Sequence, residues 1–342
     1  MKKMIAAIAW LLTIFLASCG KNSVDTLTYA VYPYISGVDQ YCEIIEKRWA
    51  EIEPDIKLVR AEWDCYEGGA PDGIDVIMYD AVMQELLIEK EWIRPIDKKE
   101  IKKSEDIFPF ALEGLTVDGR LYGIPVFLCG NFLIYDRECT ELAEAEHLTD
   151  LSGESEILVI NSKFSLNRPQ YIHEVLADTL SEANPSAGDD VDSVMALVDK
   201  LAVDEHESDD DTQVALAYDS GAGKGYIGFS ESMRFLSKRM SGTSIKTISF
   251  SDREDLPRLY VDAVAVNSKV TGQRYDKCIE LMNVIADSDV LSSISVQNGS
   301  PQYLLLARKT PYKTLIKNFP LYEQLEKLVL NEKNKVILGP RP

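Results

Sequence analysis

The sequence predicts an α/β protein of about two domains, on three observations. The chain has 342 residues, 46% of them hydrophobic and 27% charged, which suits a soluble globular protein at roughly 150 residues per domain. Between Leu27 and Glu89, strand-period and helix-period stretches alternate, the start of an α/β unit with a largely parallel sheet. Asp118-Gly119 then marks a hairpin, and the apolar run Leu121 to Asp136 after it holds a thiol at its centre, Cys129, with flanks that read as the entry to a second lobe.

The formal charge is −20. With no basic stripe, the chain would repel nucleic acid, and an acidic surface suits a cationic ligand when it is more than a solubility device.

At the N-terminus, Lys2 and Lys3 precede the apolar run Met4 to Phe15, and Leu16-Ala17-Ser18-Cys19-Gly20 follows. This order of charge, apolar core and small residues is a secretory leader. It resembles a bacterial lipoprotein signal, which implies cleavage of residues 1–18, lipid on Cys19 and a tether over residues 19–26. The run is too short for a comfortable span, which needs about 20 apolar residues. Losing the leader removes two lysines and takes the charge to −22. The expectation is an exported protein in the cell envelope, held to the membrane only through Cys19.

Along the mature chain, Leu27 to Val31 reads as a strand. Val38, Tyr41, Cys42, Ile45, Trp49 and Ile52 recur at helical steps, and Pro54 ends that helix. Ile56 to Trp63 and Ile74 to Met78 are further strands, and Ala81 to Glu89 a second helix. Ligands gather outside the carboxyl ends of such strands. That rule sets Tyr32 and Tyr34, Asp64 and Tyr66, and Asp80 along one rim. It also brings Cys42 toward Cys65, and a disulfide between them is expected. Five thiols besides Cys19 leave one odd in an oxidising compartment. No C-x-x-C spacing occurs and His147, His173 and His206 are scattered, so neither a metal nor a cofactor is expected.

The hairpin, Tyr122-Gly123-Ile124-Pro125 and the strand ending in Leu133-Ile134-Tyr135-Asp136 resemble the crossover of extracytoplasmic solute-binding proteins. The resemblance implies a two-lobed, type II periplasmic-binding-protein-like fold with a ligand cleft between the lobes and crossover strands as hinge. Lobe 1 would comprise residues 27–128 and 264–342, and lobe 2 residues 129–263.

In lobe 2, helices are expected near Glu138 to Glu146, Pro169 to Leu180 and Val191 to Leu201, with a strand at Ile157 to Ile160. The acidic run Asp204 to Asp211 lacks the central Gly of a calcium loop and reads as a solvated loop. Ser220 to Gly225 lacks the spacing of a phosphate loop and reads as a glycine turn. Ser230 is placed to cap a helix running through Phe235 and Leu236, with Glu231 in its first turn. Tyr260 to Val266 alternates like the strand returning to lobe 1, and Asp262 is a charge inside it. Tyr275 to Ala286 and Phe319 to Leu330 read as lobe 1 helices. Taken singly, Cys129 suits a buried core thiol, Glu231 a helix start and Asp262 a strand-edge charge.

Taken together, Cys129 in PVFLCGNFLIYD, Glu231 in GFSES, Asp262 in LYVDAV and the aromatic pair in VYPY resemble the thiaminase I, or thiamin pyridinylase, family. The likeness spans about residues 27 to 300. It implies a transferase in which Cys129 attacks the pyrimidine of thiamin, the thiazole leaves, and an amine or thiol collects the pyrimidine. An ordinary thiol, with a pKa of about 8.5, needs a neighbouring base, and Glu231 fits. Asp262 would hydrogen-bond the aminopyrimidine and Asp80 would face the thiazolium. Tyr32, Tyr34, Tyr66, Tyr218 and Tyr260 would stack on the rings or the cation, at about 0.5–2 kcal/mol per good contact. Phe229 stands where the family would place a Tyr. The alternative reading is a non-catalytic binding lipoprotein of the same fold for thiamin, its pyrimidine or another small ligand. A monomer is expected in either case.

Overall fold

Strand β1 (Thr26–Val31) runs through the first lobe with Leu27, Tyr29, Ala30 and Val31 buried. The computed structural model describes residues 24–160, 191–203, 211–248, 258–331 and 334–336. Helix α1 (Val38–Ile52) crosses from β1 to β2 (Lys57–Arg60), and it buries Tyr41, Cys42, Ile45 and Trp49, the stripe its sequence spacing predicts. Two polar tips lock it in place: Trp49 Nε1 donates to the Ile56 carbonyl at 2.9 Å and the Tyr41 hydroxyl to the Ile285 carbonyl at 2.8 Å. On the other side of β1 lies β3 (Val76–Asp80), buried at every position. Both β2 and β3 run parallel to β1.

The rest of this sheet departs from the expected parallel arrangement. Beyond β3 come β11 (Arg258–Val266), β6 (Ile124–Cys129) and β14 (Leu305–Leu306), each antiparallel to its neighbour, while β15 (Lys335–Val336) pairs parallel with the start of β11. The sheet is mixed because β6 carries the chain out of the lobe and β11 brings it back, side by side in opposite directions. Before β6, the hairpin of β4 (Thr116–Val117) and β5 (Arg120–Leu121) turns through Asp118 and Gly119, both at positive φ, as its Asp-Gly sequence demands. Gly123 lets β6 lie close on β11, since a Cβ there would meet the Val264 carbonyl oxygen at 2.9 Å.

Leu121 to Asp136 is two strands in two sheets. At Gly130 the chain passes from β6 to β7 (Asn131–Asp136), which sits in a four-stranded sheet between β10 (Thr243–Lys246) and β9 (Gly225–Phe229), with β8 (Leu158–Val159) beyond β9. A separate core of Leu133, Leu142, Leu158, Leu201 and Ile227 covers one face of this second sheet. The return crossing falls before Arg258, because β11 pairs with β6 from Tyr260 onward and with β3 up to Val266. Residues 258–263 therefore belong to the first sheet rather than to lobe 2.

The helix Val191–Leu201 matches its expectation, and helices Gly272–Ile285 and Tyr322–Val329 pack on the first lobe as expected. The predicted helix at 169–180, residues 204–210 of the acidic run, His173, His206, the leader and Cys19 lie outside the described residues. Two further hydrogen bonds link the lobes: Ile245 N–H donates to Gln324 Oε1 at 3.0 Å, and Ser230 Oγ donates to the Tyr303 carbonyl at 2.8 Å.

Candidate active site

The site assembles where β1, β3 and β6 end, and β11 begins, toward the second lobe. Asp262 in β11 is paired with Asp80 across one edge and with Phe127 across the other, where the β6 register slips at Asp262/Ala263. Such a bulge re-aims a side chain within an otherwise regular ladder. The Tyr32 hydroxyl, from the end of β1, donates to Asp262 Oδ1. The Tyr66 hydroxyl donates to Asp80 Oδ2 at 2.5 Å, and Asp80 Oδ1 accepts from Val82 N–H at 3.1 Å, capping the short turn of helix after β3. The rings of Tyr32, Tyr34 and Tyr66 lie 5.7–6.4 Å apart at tilted to edge-on angles. Tyr34 is 69% exposed, so it is the open side of this aromatic wall.

The electrostatics follow from burial among acids. Tyr32 is held well above the ordinary phenol range, first by burial and then by the charges of Asp262 and Asp80, with Cys129 also within electrostatic reach. Tyr32 therefore donates its proton and keeps it. The Cys65 thiol beneath is pushed up to about 12, again by burial first, with Asp80, Asp64 and Asp262 adding to it.

Cys129 closes β6 directly across from Tyr260 of β11. Two residues later Asn131 pairs with Phe229 in the β7–β9 ladder, and Glu231 lies two residues beyond Phe229 in the first turn of the 3-10 helix Ser230–Phe235. Cys129 and Glu231, 102 positions apart in sequence, each lie two residues from the Asn131–Phe229 pair, at the same end of that ladder.

Several expectations change here. Tyr218 does not join the aromatic wall; it is fully buried in lobe 2, its hydroxyl 3.3 Å from Thr243 Oγ1, its ring 5.2 Å from that of Tyr226 and beneath the Arg239 guanidinium. It packs behind the 3-10 helix that carries Glu231. Ser230 does not cap that helix: Phe229 occupies the cap position, and Ser230 Oγ is spent on the Tyr303 carbonyl. Asp262 is not a charge on an outer edge, because β11 has neighbours on both sides. Cys42 and Cys65 are both free. Cys42 faces the Tyr29 hydroxyl and Arg60 over β1 and β2, whereas Cys65 lies against Asp80 of β3, so the helix and loop deliver the two thiols to different strands.

Sequence reasoning missed Asn131, whose side-chain oxygen is buried at the junction without a hydrogen-bond partner. A polar residue opening an apolar strand carries no signal of its own. It also missed Asp219, whose carboxylate accepts from the backbone N–H of Ser237, Lys238 and Arg239 and from Ser237 Oγ, all at 2.8–3.0 Å, tying down the loop after the Glu231 helix.

No family model matches the chain. Thiaminase-1 of Paenibacillus thiaminolyticus is 28% identical to it over 93% of this chain and 85% of that protein. The chain is a homologue of thiaminase I. The solved thiaminase I from Bacillus thiaminolyticus superposes on this thiaminase I homologue with a TM-score of 0.80 at 27% identity, covering 92% of this chain and 95% of that one. Clostridium botulinum thiaminase I in complex with thiamin gives 0.79 at 29% identity, covering 92% and 94%. Maltose-bound MalE3 of T. maritima, at 13% identity and a TM-score of 0.64 over 93% and 90% of the two chains, shares the fold alone. The homologue thus has the two-lobed type II binding-protein architecture.

Proposed function

We propose that this protein is a thiamin-degrading transferase with Cys129 as nucleophile. Glu231 takes the thiol proton as Cys129 Sγ bonds to the pyrimidine ring. The bond from the pyrimidine methylene to the thiazolium nitrogen breaks with its pair, and the thiazole leaves neutral. An amine or thiol then bonds to the methylene carbon. The Sγ–carbon bond breaks with its pair on sulfur, the Glu231 proton returns to sulfur, and the proton of the incoming nucleophile is lost to water. General acid–base help of this kind is worth about 10²–10⁴ in rate.

Asp262 binds the aminopyrimidine and is itself oriented by Tyr32. Asp80, oriented by Tyr66, offsets the thiazolium charge, and Tyr32, Tyr34, Tyr66 and Tyr260 supply aromatic faces. The observation that supports this reading is that Cys129 and Glu231 each lie two residues from the Asn131–Phe229 pair, while Asp262 and Asp80 are cross-strand partners in the adjoining sheet, in a homologue of thiaminase I. A binding protein needs two carboxylates for a cationic ligand but has no use for a thiol set against a base.

The test is intact-mass analysis of the protein without residues 1–19 after incubation with thiamin, then with an added amine, alongside Cys129→Ser. A pyrimidine–amine product that the Ser variant does not form is expected. Tight thiamin binding with no product from any nucleophile would establish the binding-protein reading instead.

We also propose that the mature chain begins at lipidated Cys19 and works as a monomer in the cell envelope. The leader composition supports this, and no helix among the described residues is long and apolar enough to cross a membrane. Radiolabelled palmitate incorporated by the expressed protein and absent from Cys19→Ala is the expected result.

A further inference from the structure

We infer that Asn131 receives the second substrate when that substrate is an amine bearing an N–H, and so selects such amines over nucleophiles without one. The inference rests on the transferase reading above and names its co-substrate class. Asn131 Oδ1 is buried and accepts no hydrogen bond. Its cross-strand neighbour is Phe229, whose side chain has no donor to offer. A buried carbonyl left unpaired in a folded protein calls for an explanation, and at a functional site the explanation is a ligand group that arrives later.

The position says which group. Asn131 follows Cys129 by two residues through Gly130, and Glu231 lies two residues past its ladder partner. This corner of the junction is that of the nucleophile and base, and the Asp262–Asp80 pair, allotted to thiamin itself, lies on β11 and β3 of the first sheet. The first substrate therefore leaves Oδ1 unused.

An amide oxygen suits an incoming amine better than a third carboxylate would. A carboxylate favours the ammonium form, in which the lone pair is already taken by a proton. A neutral oxygen accepts from one N–H of the free amine and turns its lone pair toward the methylene carbon. The new carbon–nitrogen bond then forms from that pair as the Cys129 sulfur departs with its own, and the amine's proton is lost to water. Thiols are weak donors, and pyridine has no N–H, so neither gains from this contact.

The experiment is a competition for one intermediate: thiamin with equimolar primary aromatic amine and pyridine, the two pyrimidine products being quantified by mass spectrometry. The expected result is an amine-to-pyridine product ratio about tenfold lower in Asn131→Ala, and in Asn131→Leu should the Ala variant fold poorly. Asn131→Asp, which keeps an oxygen in place but favours the protonated amine, is expected to give a ratio between the wild-type and Ala values. An unchanged ratio in the Ala and Leu variants overturns the inference, as does an equal fall in Ala and Asp. Wild-type protein that releases no thiazole with either nucleophile sinks the transferase reading itself, an outcome visible before any ratio is taken.

Discussion

Asp262 of β11 and Asp80 of β3 are direct cross-strand partners, and each carboxylate accepts a tyrosine hydroxyl, from Tyr32 and Tyr66 respectively. Like charges opposite one another in a ladder are destabilising. Two phenol donors offset part of that repulsion, and a cation brought between the carboxylates removes more of it. The arrangement is costly in the empty protein and favourable once a positively charged ring is bound.

Tyr32→Phe removes the donor to Asp262 but keeps the ring. A hydrogen bond to a charged group is worth about 1.5–3 kcal/mol, so kcat/KM for thiamin should fall about ten- to a hundredfold. Steady-state kinetics of this variant against Tyr34→Phe checks it. Tyr34 is the exposed member of the wall, and its hydroxyl variant should stay within about threefold of wild type by the same scale.

The thiols give a chemical test of the fold. With Cys42, Cys65, Cys129, Cys139 and Cys278 all free, the unfolded mature domain without Cys19 should titrate five thiols in the absence of reductant. In the native protein at pH 8, Cys65 and Cys278, each buried and pushed up to about 12 chiefly by that burial, should resist alkylation. Peptide mapping after iodoacetamide treatment reads both results; label on Cys65 in folded protein would contradict its placement.

Asp219 should make stability depend on acid pH. Burial works to raise its pKa, but the N–H groups of Arg239, Ser237 and Lys238 and the Ser237 hydroxyl outweigh it and hold the carboxyl below its ordinary value. A depressed folded-state pKa contributes stability that is complete above the unfolded value of about 3.9 and is lost as pH falls through the folded value. Asp219→Asn should therefore lower stability near neutrality by about 2 kcal/mol. The gap to wild type should narrow below about pH 4. Urea unfolding at pH 7 and at lower pH measures both.

Gly123→Ala places a methyl against the Val264 carbonyl, in the β6–β11 contact that aligns Cys129 with Tyr260. Overpacking of this kind, a methyl forced against a backbone carbonyl, costs about 1–3 kcal/mol, so Tm should drop by several degrees. Activity measured well below that Tm should fall too if the register carries the site. Full activity in the destabilised protein would separate the two.

Local patterns determined much of this protein without help. The helical stripe of α1, the Asp-Gly turn and the apolar run Val76–Met78 that opens β3 are each set by neighbours within a few residues, so periodicity and turn chemistry reveal them. The resemblance carried by short stretches around Cys129, Glu231 and Asp262 was legible for the same reason. What only the tertiary structure decided is pairing across long separations. The Asp262–Asp80 partnership, the division of one apolar run between two sheets at Gly130, the burial of Tyr218 away from the aromatic wall and the separation of Cys42 from Cys65 all depend on strand order and register. These are set by how side chains pack between distant segments, and no local spacing records which strand a given residue will face.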